Sequence, residues 1–357
     1  MRFWVLAAFA VFSAVPASAA DFNPPIARMI SNYIQPAMAE FATTADRLPD
    51  AVTSVCSDAS PSAVAGFRTA YADTLAAFSR IHFLRLGPLL EDDRLSRLAF
   101  LPDPRGIAQR QIRKIYAKKD AGVGAAESLR DKSVAVQGLT ALQLIAFDKE
   151  SEVVLGRADA DRDFTCAYAL AIARNVAAIA DDVAADWEDK DGFQSVLLSG
   201  GPQNDRYRSS QEAMESVFNA LVTGLIIVRD QDLLPALGAS EAKARPNRFP
   251  FSRSANSIQY LSGELHGLQD AVTSLELEDM TPSDFHWIFA ALDFEFGNAQ
   301  KLLSELEPPL RQTFGQGESY SQVTVLAITL QSIRDTMALE LAGALGLAGG
   351  FNSLDGD

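Results

Sequence analysis

PSAVAGFRTAYADTLAAFSRIH, residues 61–82, places large side chains at Val64, Phe67, Tyr71, Leu75, Phe78 and His82. Steps of three and four bring all of them to one face of an α-helix, which needs a second apolar surface to cover it. Ser60 ahead of Pro61 supplies a cap, followed by a residue whose fixed φ suits the first helical turn. This stretch therefore predicts a buried-stripe helix.

The same period recurs at Met214, Phe218, Leu221, Leu225 and Val228, and again at Val323, Leu326, Leu330, Ile333, Met337 and Leu341. Such stripes are the seams of helical bundles. Alanine-rich segments such as AYALAIARNVAAIADDVAA favour helix by propensity, and no sustained polar and β-branched alternation marks a strand. The chain is expected to be all-α, with helices over 24–46, 61–86, 105–118, 133–147, 161–188, 207–230, 253–277, 283–305 and 319–345. SVLLSGGPQND at 195–205 interrupts two long helical patterns. The expected organisation is an N-terminal helical-bundle domain over 21–194, a linker over 195–206 and a C-terminal four-helix bundle over 207–345. A flexible tail is expected over 346–357.

MRFWVLAAFAVFSAVPASAA, residues 1–20, has a basic Arg2, an apolar core and small residues at its end. It reads as a secretory leader cleaved after Ala19 or Ala20, with no cysteine there to carry a lipid, and so predicts a periplasmic location. No later stretch reaches the roughly 18 apolar residues of a membrane span. Without the leader the formal charge moves from −15 to −16, which argues against nucleic acid as a partner. In an oxidising compartment the two cysteines, Cys56 and Cys166, favour one disulfide, two buried thiols being the alternative.

The chain has three histidines and no HExxH. His82 ends the opening stripe and points into the bundle, where it reads either as a core histidine or as a ligand contact at the bundle mouth. Arg85 lies one turn on, and Asp103 and Arg105 are placed to return to it across GPLLEDDRLSRLAFLPDPRG, residues 87–106. That segment has too many prolines for a helix and too many leucines for a solvated linker, so it is expected to pack and to border a site. His266 shares a helix face with Asp270, a weak metal candidate, as is His82. His286 reads as a helix-start residue. DADRD at 159–163 lacks the glycine and terminal glutamate of a calcium loop, and no G-x-S-x-G is present.

Four segments together, HFLRLGPLLEDDRLSRLAFLPDPRG at 82–106, SVAVQGLTALQLIAF at 133–147, FTCAYALAIARN around Cys166 and RFPFSRSANSIQYLSGELHGL at 248–268, resemble the imelysin family. These are exported bacterial proteins, also classed as M75 peptidases and associated with iron uptake. The resemblance implies two related helical bundles with a site between or beside them. It also implies a G-x-H-x-x-E motif on the helix after the proline-rich loop. Gly138 matches its glycine, but Thr140 and Gln143 stand at the histidine and glutamate positions. A hydroxyl and an amide are weak ligands that do not titrate near neutrality.

The expectation is an exported binding or accessory protein linked to iron or another metal, non-catalytic, with Gly138, Thr140, Gln143, His82, Arg85, Asp103 and Arg105 as candidate ligand contacts. The sequence requires no cofactor; iron or another divalent metal is the candidate, and a metal ion, an iron chelate or another envelope protein the candidate partner. An M75-type metallopeptidase and a structural adaptor are the alternatives.

Overall fold

The computed structural model describes residues 20–348; residues 1–19, which carry nearly all of the expected leader, and 349–357 lie outside it. The opening stripe forms the buried face of a helix over Pro61–Ile81, with the Ser60 hydroxyl accepting from the Ala63 N–H at its start. Phe67, Tyr71, Leu75, Phe78 and His82 are all buried.

In chain order the main helices are α1 (23–45), α2 (Leu48–Ser57), α3 (Pro61–Ile81), α4 (Ile107–Lys118), α5 (Leu139–Ala146) and α6 (Arg162–Glu188). They continue with α7 (Phe193–Leu198), α8 (210–237), α9 (Ser257–Ser274), α10 (Trp287–Ser304) and α11 (319–344). Helices α1, α2, α3 and α6 pack as one bundle, and α8, α9, α10 and α11 as another. The two share a continuous apolar core, joined where α3 lies along α9. The stripes on α8 and α11 face that core, each large buried side chain contributing about 1.5–3 kcal/mol.

Three helices contain a widened π turn: Ile30–Ile34 in α1, Ile227–Leu233 in α8 and Thr336–Leu341 in α11. Pro36 and Pro235 each follow two residues after such a turn. A proline ring clashes with the carbonyl four residues back and offers no N–H, and a wider turn relieves both. The turn in α8 carries Asp232 into the interior.

Cys56 and Cys166 form a disulfide across a separation of 110 residues, tying the end of α2 to α6. Segment 195–206 is not a free strand of linker throughout, because α7 packs on α1, α6 and α8. The expected tail is held at its start: Leu347 is buried, and Ala348 N–H donates to Glu215 Oε1 at 3.0 Å. Among the described residues no helix is long and apolar enough to cross a membrane.

Candidate functional site

The 87–106 segment folds as a 3₁₀ turn, a short helix over Arg94–Leu98 and an extended run into α4, with Leu89, Leu95 and Leu98 buried as its apolar content predicts. Its second half forms one wall of a cleft of about 490 Å³. Helix α5 contributes Thr140, Gln143 and Leu144, the π turn of α8 contributes Asp232, and residues 247–253 form the facing wall. In that wall the bulky Phe251 adopts a φ of +50°, a strained backbone position, with its ring 4.9 Å from that of Tyr260.

Two expected contacts have local duties. Asp103 accepts from the N–H groups of Ile107 and Ala108 at 2.7 and 2.9 Å and so caps α4; it does not return to Arg85. Thr140 Oγ1 accepts from the Phe100 N–H at 3.1 Å. Gly138 lies under this contact, where a Cβ would collide with the backbone carbonyls of Arg97 and Leu98. Gln143 differs: it lines the cleft, and its Oε1 is buried without a hydrogen-bond partner.

Behind the cleft floor lies a buried polar cluster. His82 Nδ1 is 3.1 Å from Glu264 Oε1 and 3.0 Å from the Tyr260 hydroxyl. Asp232 and Glu264 are hydrogen-bonded to each other through their side chains, which two carboxyls can do only with a proton between them. Burial pushes the His82 imidazole down to about 3, with Arg85 adding to the effect, so the ring is neutral. Burial raises Asp232 to about 8 against the pull of Arg85, and raises Glu264 well above the carboxylate range with Asp232 adding to it. Two carboxyls this close cannot both ionise in a dry interior, so the pair keeps at least one proton. The half-buried Arg85 guanidinium, itself pulled down by burial, is the counter-charge.

A family model described as Imelysin, peptidase M75, matches residues 34–337. The chain belongs to the imelysin family. Two solved structures share the fold of this imelysin-family chain. An imelysin-like protein from Psychrobacter arcticum 273-4 is 19% identical with a TM-score of 0.76, over 92% of this chain and 97% of that one. A candidate iron-regulated protein A precursor from Parabacteroides distasonis ATCC 8503 is 11% identical with a TM-score of 0.68, over 90% and 96%. No curated protein matches the sequence.

Helix α5 thus stands on the cleft wall, with the Thr140 hydroxyl bonded to the loop and Gln143 lining the cavity. Among the described residues no group of three or more His, Cys, Asp or Glu side chains is arranged to hold a metal ion. The donor chemistry agrees, because the Asp232 and Glu264 pair already faces the Arg85 guanidinium. The residues present do not fit a bare metal ion.

The other candidates are dispersed. Arg105 is exposed and outside the cleft lining. His266 Nδ1 lies 2.7 Å from the Ser262 carbonyl oxygen on its own helix, and Asp270 pairs with Arg80 at 2.7 Å. Sequence reasoning missed Asp232, Tyr260, Glu264, Arg253 and Arg311. A signal existed for two of them: Asp232 extends the Leu221, Leu225, Val228 stripe by one turn, and Glu264 interrupts the buried Leu261, Leu265, Leu268 stripe.

Proposed function

We propose that this chain is a periplasmic binding or accessory protein that captures a small ligand in the cleft between the 100–106 loop, α5, the π turn of α8 and the 247–253 wall. The observation that carries this reading is a buried acceptor without a hydrogen-bond partner, Gln143 Oε1, on a residue that lines the cavity. Buried polar atoms without partners are rare and commonly mark a place where a ligand or water completes the bonding. The disulfide and the leader-like residues 1–20 support export. A link to iron is suggested by the description of one structural neighbour, and the donor set favours a metal already held in a chelate over a bare ion. Calorimetric titration with ferric, ferrous, zinc and copper ions is expected to give no binding tighter than roughly millimolar.

The family classification supplies a competing reading, a metallopeptidase. Incubation with unfolded protein substrates, with and without chelator, separates the two: chelator-sensitive cleavage that His82→Ala abolishes would replace the binding reading.

A structural adaptor is favoured by a different observation. Trp287 and Phe294 on α10, and Val325, Ile328 and Leu339 on the adjacent α11, are exposed, Phe294 to 75%. Exposed apolar patches commonly mark contact surfaces. Co-purification of an envelope protein that is lost in Phe294→Ser would support that role.

A further inference from the structure

The cleft carries four cations, Lys149, Arg248, Arg253 and Arg311, in a chain of formal charge −15. Among the described residues none of the four takes part in an ion pair. Arg253 is anchored by its donation to the Phe147 carbonyl at 3.0 Å, and Arg248 by its donation to that of Pro104 at 3.2 Å. Burial and the like charge of Arg311 both pull Arg253 down, so the two guanidinium groups feel each other across the wall.

The neighbouring carboxylates leave this charge uncancelled. Asp148 and Glu150 act on Arg253 from a distance, yet Asp148 is engaged with the N–H groups of Glu150 and Glu152 at 3.0 and 2.8 Å, and Glu150 is exposed. Asp103 caps α4, and Asp232 faces Arg85. On the opposite side, Gln143 Oε1 is a buried acceptor without a donor. The cavity of about 490 Å³ falls within the range of small-molecule sites.

We infer that the cleft takes a hydroxy-polycarboxylate, whose carboxylates bridge Arg253 and Arg311 and whose hydroxyl donates to Gln143 Oε1. The inference rests on the cleft being a ligand site. Two forked guanidiniums suit planar oxyanions, since each can bond a carboxylate through two N–H groups. Lys149 and Arg248 add longer-range attraction that brings anions to an acidic protein.

The test is calorimetric titration of the full mature chain at 0.15 M salt with citrate, with tricarballylate, which has the same carboxylates and no hydroxyl, and with inorganic phosphate. Citrate is expected to bind saturably and tricarballylate at least about fivefold more weakly, with phosphate weaker still. Arg253→Gln and Arg311→Gln should each weaken citrate tenfold or more, and Arg113→Gln, on the exposed side of α4, should not. Arg253→Lys keeps the charge without the fork and should lose affinity, which covers the case in which Arg253→Gln fails to fold. No citrate binding, or citrate and phosphate binding alike and indifferently to the arginine variants, would overturn the inference. If citrate fails while a neutral or cationic small molecule stabilises the wild type but not Gln143→Trp, the cleft reading survives and this inference falls.

Discussion

The Thr140 hydroxyl accepts a hydrogen bond from the Phe100 backbone N–H at 3.1 Å and so fastens the start of α5 to the loop that walls the cleft. Thr140 therefore serves as a structural clasp. Thr140→Val keeps the shape and removes the acceptor, leaving the Phe100 N–H unpaired. The expected cost is about 1–3 kcal/mol in denaturant unfolding. A cost near zero would show that the clasp contributes nothing to the fold.

The Cys56 to Cys166 bridge closes a loop spanning a separation of 110 residues. In the chain-entropy model such a loop is worth about 5 kcal/mol. A Cys56→Ser, Cys166→Ser double variant should unfold at markedly lower denaturant than the oxidised wild type. Reduced wild type should match the variant; if reduction leaves the midpoint unchanged, the bridge has no such role.

The buried cluster predicts a pH signature. Asp232 has a folded-state pKa raised to about 8, above its ordinary value, so the stability tied to its proton is fully present in acid and is lost as pH rises toward about 8. Asp232→Asn mimics the protonated form. Its melting temperature relative to wild type should therefore rise between pH 5 and pH 8. His82 runs the other way: its pKa is lowered to about 3, so the stability tied to the neutral ring is lost as pH falls below its ordinary value. A flat difference between Asp232→Asn and wild type would place the carboxyl in an ordinary environment.

Much of this architecture is legible in the chain, and the gaps have physical causes. The stripes from Val64 to His82, from Met214 to Val228 and from Val323 to Leu341 forecast the bundle seams because helical period is a local property. The separate helix α2 is not forecast, since Leu48, Val52 and Val55 make too short a stripe against the run of α1. The site is harder. Arg85 meets Asp232 and Glu264, which come from α8 and α9, and only the packing of α3 along α9 brings these groups together. Asp103 is the nearer carboxylate in sequence, but the cap of α4 claims it. Arg253 and Arg311 belong to separate segments, so no spacing rule could join them across the cleft.

The central claim is that a small molecule enters the cleft beside Gln143, and thermal melting against a small-metabolite panel tests it most directly, on wild type and on Gln143→Trp, which fills the cavity. A ligand at a hundredfold its Kd adds about 2.7 kcal/mol to folded-state stability. The account predicts at least one compound that raises the wild-type melting temperature by several degrees and leaves Gln143→Trp unmoved. A panel that shifts neither protein, or shifts both equally, would contradict it.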